Sequence, residues 1–535
     1  MMPGRTARAL AVPCIASVVV LGLVVLSVLD RNRIDDDAYM FVRYARNFAA
    51  SGAIAWNPGG PPTYGLTSLA YFALVLLLQV VLRADPAVVL VVATLLSGAA
   101  FVVALVWLVW RHADAGSATQ RAVAVTGVLL GLAWAGPGLA AHFVSGMDAM
   151  LALVYATACI GAAKVWQEKP DARRTLVLGI AGGAALWVRP DLLAYSFAVP
   201  LAALVLAPSA PQARAAGRVL ALAAGVAGAL AGLAWLYFGS PLPLSTYGKV
   251  FHGYGADMEA VYHAFPAEQL AIFGRDYAPV LLVAALGLVA FVGARGARRA
   301  CVEIGLAAAT VGFLVFHRFF VLAIMGSNQR FYYPALPALL FLAAQGGLAL
   351  ASTREAERAW GRLAPSPGRA AALRALALVL AVTSLAPQAV RAVSALRLGP
   401  RCAHFGVVDN YTHNWPSRFW TGLDRFSELP DDLVIATTEI GYPGVLNPRK
   451  VIVDLAGLND TEFARRGFST RVLFGRCQPD LFMLPSHHYQ ELRRTLARDP
   501  DFARGYQVFQ PSGGLGIALR RSSKHYLAMR AALGL

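Results

Sequence analysis

Three consecutive carboxylates, Asp35, Asp36 and Asp37, stand just after an apolar stretch and open a run that continues Ala38-Tyr39-Met40-Phe41-Val42-Arg43-Tyr44-Ala45-Arg46-Asn47-Phe48. Clustered carboxylates repel one another and favour a partner cation or a raised pKa. Side chains on adjacent helical residues diverge by about 100°. The three therefore do not serve one ion together, and one of them is free to act as a general base while a neighbour orients an arginine or binds a metal. The competing reading is an acidic first turn that complements the helix dipole. The run has the periodicity of an amphipathic helix at a membrane surface, with Asp36, Tyr39, Arg43 and Asn47 on one face. Met40, Phe41, Tyr44 and Phe48 then face lipid or the bundle.

Cations suited to a phosphate are scarce. Lysine occurs at 164, 169, 249, 450 and 524, and Lys249 is the one in an outer loop between apolar segments. With Arg189 and Arg330 it is a candidate phosphate ligand, the alternative for the arginines being interfacial anchoring of helix ends. Arg43 either pairs with Asp36 or binds phosphate. Asp148 caps a helix or adds a polar group to a cavity, where Tyr39 and Asp35 are further candidates. His317-Arg318 lies inside an apolar run, where an ionisable pair should face a cavity or the bundle interior, although no catalytic role is expected of it. His252, His263, His487 and His488 have no metal-ligand spacing. The metal question stays open, since the aspartates are also compatible with Mg²⁺ or Ca²⁺ bound through water.

The elements that must hold these residues follow from composition. Of 535 residues, 57% are hydrophobic and 14% charged, against about 45–50% and 25% in soluble domains. Mean hydropathy is +0.56. A single soluble globular enzyme is excluded. The net charge of +17 sits in short clusters between apolar runs, as in the loops of a polytopic membrane protein, so no nucleic-acid partner is expected. The five cysteines form no CxxC pair, which argues against a zinc or thioredoxin-like site.

Residues 9–29 read as an uncleaved first transmembrane helix preceded by Arg5 and Arg8. Further apolar runs cover 66–82, 87–110, 122–142, 147–163, 175–188, 191–206, 219–238, 277–293, 301–325, 333–350 and 375–386. The basic clusters fall on one side only if 66–82 does not cross. The chain is thus expected to be an α-helical polytopic membrane protein of about 11 spans, N-terminus cytoplasmic. Its outer face carries the first loop, 30–65. Gly228-xxx-Gly232 reads as tight helix packing. From 396 to 535 the composition becomes that of a soluble α/β domain outside the membrane, with strands at 432–438 and 450–455 and helix near 489–498. A Cys402–Cys477 disulfide is compatible with an oxidising compartment there.

The first-loop run, Trp56-Asn57-Pro58-Gly59, Ser145-Gly146-Met147-Asp148, Arg189-Pro190-Asp191, Tyr237-Phe238-Gly239-Ser240-Pro241-Leu242-Pro243, Tyr247-Gly248-Lys249, Arg330-Phe331-Tyr332-Tyr333-Pro334 and Val453-Asp454-Leu455-Ala456-Gly457-Leu458-Asn459-Asp460 follow one another along the chain. Together they resemble the GT-C fold glycosyltransferases, in particular the mycobacterial membrane arabinofuranosyltransferases that add terminal β-1,2-linked arabinofuranose. The resemblance implies a catalytic GT-C domain over 1–395. It implies inverting transfer from a polyprenyl-phosphate sugar, decaprenyl-phospho-arabinose, to a hydroxyl of cell-wall arabinan on the outer face of a bacterial plasma membrane. The first aspartate of the pair would be the base, a role that falls to Asp36, with Asp37 beside it. Two departures, Asp148 in place of the family's Glu and a divergent Tyr64–Leu69 stretch, bear on the acceptor. The alternatives are a mannosyl- or other pentosyltransferase acting on another glycan or on a surface protein such as pilin, and, from a different class, a lipid or solute transporter, for which no inverted repeat is found.

Overall fold

The computed structural model describes residues 34–113, 117–134, 139, 141–207, 209–251, 267–322, 329–351, 427–485, 489–509 and 516–535. The first expected span, the 375–386 segment, the 395/396 boundary, Cys402, His252, His263, His487 and His488 lie outside the described residues.

The first described helix, α1 (Asp36–Ser51), stops at Gly52, whose φ of 74° is a left-handed conformation and whose N–H bonds Phe48 O; a residue without Cβ takes that conformation at little cost. The bundle continues with α2 (Leu69–Leu82), α3 (Pro86–His112), α4 (Ala118–Trp134), α5 (Ala149–Glu168), α6 (Ala172–Val188), α7 (Leu193–Val205), α8 (Ala210–Phe238) and the short α9 (Leu244–Val250). It ends with α10 (Ala267–Asp276), α11 (Ala278–Arg295), α12 (Cys301–Phe319) and α13 (Leu336–Ala351).

Among the described residues, α3, α5, α8 and α12 are long and apolar enough to cross a bilayer, and α10 with α11, bent by 75°, adds one more if the pair is a single span. At 14 residues α2 is about 21 Å long, short of a hydrocarbon core of about 30 Å. Large apolar side chains point outward around the bundle, among them Leu77, Val103, Trp107, Val123, Leu201, Trp235 and Leu236. Such a belt suits lipid and is too extensive for water.

Small residues set the closest helix approaches, although not where the sequence suggests. A Cβ on Gly228 or Gly232 meets nothing within 4 Å. The tight crossing is between α11 and α13, where a Cβ on Gly287 would stand 2.0 Å from Gly346 Cα. Glycine there lets the two backbones touch, and the spaced pair on α8 faces open space instead.

Beyond the bundle a five-stranded sheet has the order β2-β1-β3-β5-β4. Its strands are β1 (Val434–Thr437), β2 (Val451–Asp454), β3 (Leu481–Met483), β4 (Tyr506–Phe509) and β5 (Ile517–Arg520). The first three run parallel, and β5 is antiparallel to both β3 and β4. β1 and β2 fall inside the runs that the sequence marks as strands, and a helix forms at Gln490–Arg498. The short helices α14 (Gly441–Leu446) and α15 (Thr461–Arg466) follow β1 and β2.

One hydrophobic core fills the bundle around Phe101, Leu153, Trp166, Phe313 and Phe341. A second runs without a break from Phe41, Tyr71 and Val89 into Ile435, Ile452 and Leu481 of the sheet. α1 is therefore the layer between the bundle and the C-terminal domain. Both of its faces are buried, whereas the sequence suggests a helix on a membrane surface.

Candidate active site

A cavity of about 360 Å³ opens where one end of the bundle meets α1 and the segment that follows it. Its polar wall is made by Asp37, Thr67, Asp148, Arg189, Asp191, Lys249, His317 and Arg330. Its apolar wall includes Met40, Phe41, Phe313, Phe316 and Leu458. Apolar surface with a few convergent polar groups is the usual make-up of a small-molecule site.

Asp37 leaves the first turn of α1 toward this space and pairs with Arg330, whose Nη2 donates to Asp37 Oδ2 at 3.2 Å. Asp35 Oδ2 stands 3.8 Å from Nη1 of the same guanidinium. Asp36 is elsewhere. Its Oδ2 accepts the N–H of Gly441 at 2.9 Å and its Oδ1 that of Tyr442 at 2.7 Å, and it is not among the residues lining the cavity. Burial raises its carboxyl to about 6, against the pull of the Tyr442 and Gly441 N–H groups. Of the two carboxylates, Asp37 lines the cavity and Asp36 meets the C-terminal domain, because the step of about 100° between helical neighbours turns them to different sides.

The face shared by Asp36, Tyr39, Arg43 and Asn47 exists as the spacing suggests; its first three residues meet the C-terminal domain, and Asn47 donates to Ala55 O and Trp56 O of the first loop. Tyr39 packs edge-on against Tyr442 with centroids 5.1 Å apart and does not line the cavity. Arg43 Nε donates to Trp56 O, Nη1 to Gly444 O and Asn447 O, and Nη2 to Asn57 Oδ1 and Lys450 O. A guanidinium has five N–H donors. All of them are engaged, so neither of the expected partners of Arg43, a phosphate or Asp36, applies.

Lys249, at the last turn of α9, points its ammonium over the Phe331 ring at 5.4 Å. Burial lowers its pKa to about 8, helped by the nearby Arg330 and Arg189 cations and resisted by Asp37 and Asp148. Among the described residues its Nζ has no hydrogen-bond acceptor and no ion-pair partner. Arg189, by contrast, is held by Asp191 through two contacts, Nε–Oδ1 at 3.2 Å and Nη2–Oδ2 at 2.6 Å. Asp191 Oδ2 also lies 3.2 Å from His317 Nε2.

Asp148 occupies the N-cap position of α5 without making a side-chain cap bond. It accepts the Thr67 hydroxyl at 3.0 Å across the cavity wall. The capping role expected of it is not the one it has.

The C-terminal domain contributes Leu458 to the cavity, and its loop is tightly held. Asp454 Oδ1 accepts the N–H groups of Ala456 and Gly457, and Oδ2 accepts Asn459 N and Nδ2. Asn459 Oδ1 in turn accepts the Tyr44 hydroxyl at 2.7 Å. Asn57 serves the exposed side of β2 like a strand partner: its Oδ1 accepts Ile452 N–H at 2.8 Å and its Nδ2 donates to Ile452 O at 3.1 Å.

Asp191, His317, Thr67 and Leu458 are wall residues that sequence reasoning did not place in the site. For His317 a signal existed, an imidazole inside an apolar run. Among the described residues no group of three or more His, Cys, Asp or Glu side chains is arranged to hold a metal ion.

No family model matches the sequence, and no curated protein matches it. Solved structures do. ArnT from Cupriavidus metallidurans bound to undecaprenyl phosphate matches with a TM-score of 0.56 at 13% identity, over 94% of this chain and 97% of that one. The same protein in the apo state gives 0.54 over the same shares. The archaeal oligosaccharyltransferase AglB from Archaeoglobus fulgidus, in complex with an inhibitory peptide and a dolichol-phosphate, gives 0.50 at 12% identity, over 98% of this chain and 75% of that one. The fold is that of the GT-C glycosyltransferases. At these identities the likeness establishes architecture, and the chemistry has to be argued from the cavity.

Proposed function

We propose that this chain is an inverting membrane glycosyltransferase that moves a sugar from a polyprenyl-phosphate carrier to an acceptor hydroxyl at the outer face of a bacterial plasma membrane. The observation that carries the proposal is one cavity in which the carboxylate of Asp37 and the ammonium of Lys249 face the same apolar-walled space. Two of the similar solved structures hold a polyprenyl-type phosphate, undecaprenyl phosphate in one and dolichol-phosphate in the other.

Transfer with inversion needs a base on one side of the anomeric carbon and charge stabilisation on the other. Asp37 takes the proton of the acceptor hydroxyl while Arg330 holds the carboxylate in place. The acceptor oxygen bonds to the anomeric carbon as the bond from that carbon to the phosphate oxygen breaks. The electron pair leaves with the lipid phosphate, whose charge Lys249 neutralises, with the remaining N–H donors of Arg330 as second ligand. Arg189, doubly engaged by Asp191, braces the wall, and Asp148 with Thr67 offers hydrogen bonds to sugar hydroxyls.

Arabinofuranose as the sugar, with an arabinan acceptor, is the version the sequence resemblance favours. The direct experiment incubates purified protein in detergent with synthetic polyprenyl-phospho-arabinofuranose and a short arabinoside, and reads products by mass. A product heavier by one pentose, absent with Asp37→Asn, supports donor and base together. Transfer from a different sugar carrier replaces the donor. Failure with every polyprenyl-phosphate sugar overturns the enzyme reading and favours transport.

A further inference from the structure

We propose that Asp36 is a positioning residue, a latch that fastens the helix carrying Asp37 to the C-terminal domain, so that the cavity carboxylate is placed only when that domain is docked. The inference rests on the reading of Asp37 as the base.

Both oxygens of Asp36 are committed to backbone N–H groups of the turn that opens α14, at 2.9 Å and 2.7 Å. Two successive N–H donors on one carboxylate fix its position in both directions across the plane of the group. The next residue of the same helical turn is Asp37, so the two carboxylates move with one backbone segment. A shift of α14 against the bundle therefore also moves Asp37, whose 3.2 Å contact with Arg330 already lies at the long end of the hydrogen-bond range and weakens with any further separation.

The seat for the latch is shaped by absent side chains. A Cβ on Gly441 would stand 1.7 Å from Asp36 O, and one on Gly444 would stand 2.9 Å from Arg43 Cδ and 3.0 Å from Trp56. The turn at 441–444 approaches α1 more closely than any residue with a side chain permits. Tyr39 against Tyr442 and Arg43 on Gly444 O, Asn447 O and Lys450 O extend the same contact along one face of α1. This face meets the C-terminal domain, and the next residue's carboxylate meets the cavity.

The test uses the full chain in detergent and three variants, Asp36→Asn, Gly441→Ala and Asp37→Asn. Steady-state transfer and amide hydrogen exchange over 36–48 and 441–447 are measured together. Asp36→Asn and Gly441→Ala are expected to lower kcat by up to about 100-fold, the scale of a 1 Å misplacement. They should leave the donor KM near the wild-type value and speed exchange in both segments. Asp37→Asn should lose about 10²–10⁴-fold in kcat, as removal of a general base does, with exchange unchanged.

If Asp36→Asn loses as much as Asp37→Asn while exchange stays at the wild-type rate, Asp36 itself reacts and the latch is overturned. Faster exchange in Gly441→Ala with an undiminished kcat overturns it as well, because docking would then not place Asp37. A wild type inactive with every polyprenyl-phosphate sugar defeats the functional reading on which the latch rests. The exchange arm separates that failure from failure of the latch itself: wild-type exchange in both Asp36→Asn and Gly441→Ala sinks the latch whatever the activity.

Discussion

Asp37 and Arg330 are 293 residues apart in the chain and meet at 3.2 Å on the wall of the cavity. The contact joins the first turn of α1 to the segment that leads into α13.

Removing the cation should cost less than removing the carboxylate. A charged hydrogen bond contributes about 1.5–3 kcal/mol, so Arg330→Gln should reduce kcat/KM by about tenfold to a hundredfold. The double variant with Asp37→Asn should fall little below Asp37→Asn alone, since the two act as a unit. Full additivity in that double-mutant cycle would show that the pair is not coupled in the reaction.

Lys249 carries the pH dependence on the alkaline side. With its pKa near 8 through burial and the neighbouring arginines, the ammonium is present below pH 8 and is lost as pH rises through that value. Donor affinity should therefore decline above about pH 8, because only the charged form pairs with phosphate. Lys249→Gln should raise the donor KM and flatten this limb of the profile. An unchanged alkaline limb in the variant would assign it to another group.

Arg43 should matter for stability more than for phosphate binding. Arg43→Met leaves the carbonyls of Trp56, Gly444, Asn447 and Lys450 without this donor, at about 1–3 kcal/mol for each one that finds no substitute. A clear drop in thermal stability is expected, with donor KM near wild type in the folded fraction. A large KM effect without loss of stability would return Arg43 to the phosphate.

Gly65→Ala tests the seat of the Leu458 loop. The new Cβ would stand 1.9 Å from Asn459 Oδ1 and 2.5 Å from the Tyr44 hydroxyl, so the Tyr44–Asn459 bond must break or the loop must move. Thermal stability should fall. Gly217→Ala, where a Cβ meets nothing within 4 Å, is the control. There the helix propensity of alanine should leave stability equal or higher by up to about 1 kcal/mol. Equal behaviour of the two variants would show that the Tyr44–Asn459 contact does not hold the loop.

The sequence alone determined the class of molecule, because long apolar runs with basic clusters between them have few solutions other than a polytopic bundle. It located β1, β2 and the helix at 490–498 from local periodicity. It also singled out Asp37, Lys249, Arg330, Arg189 and Asp148, which the fold brings to one cavity from five separate segments. Charged side chains in a chain this apolar are few, and each needs a reason to be where it is.

Only the tertiary structure decided what each of those residues faces. Helical spacing correctly grouped Asp36, Tyr39, Arg43 and Asn47, but a helix wheel carries no information about what lies beyond the wheel. The partners of that face are Gly441, Tyr442, Gly444 and Lys450, some 400 residues away, so whether Asp36 or Asp37 met the cavity was settled by packing of the C-terminal domain on α1. The same holds for Asp148, whose place at a helix start is local and whose bond to Thr67 is not. Residue type and spacing set which chemistry was available, and long-range contacts set which atom is positioned to perform it.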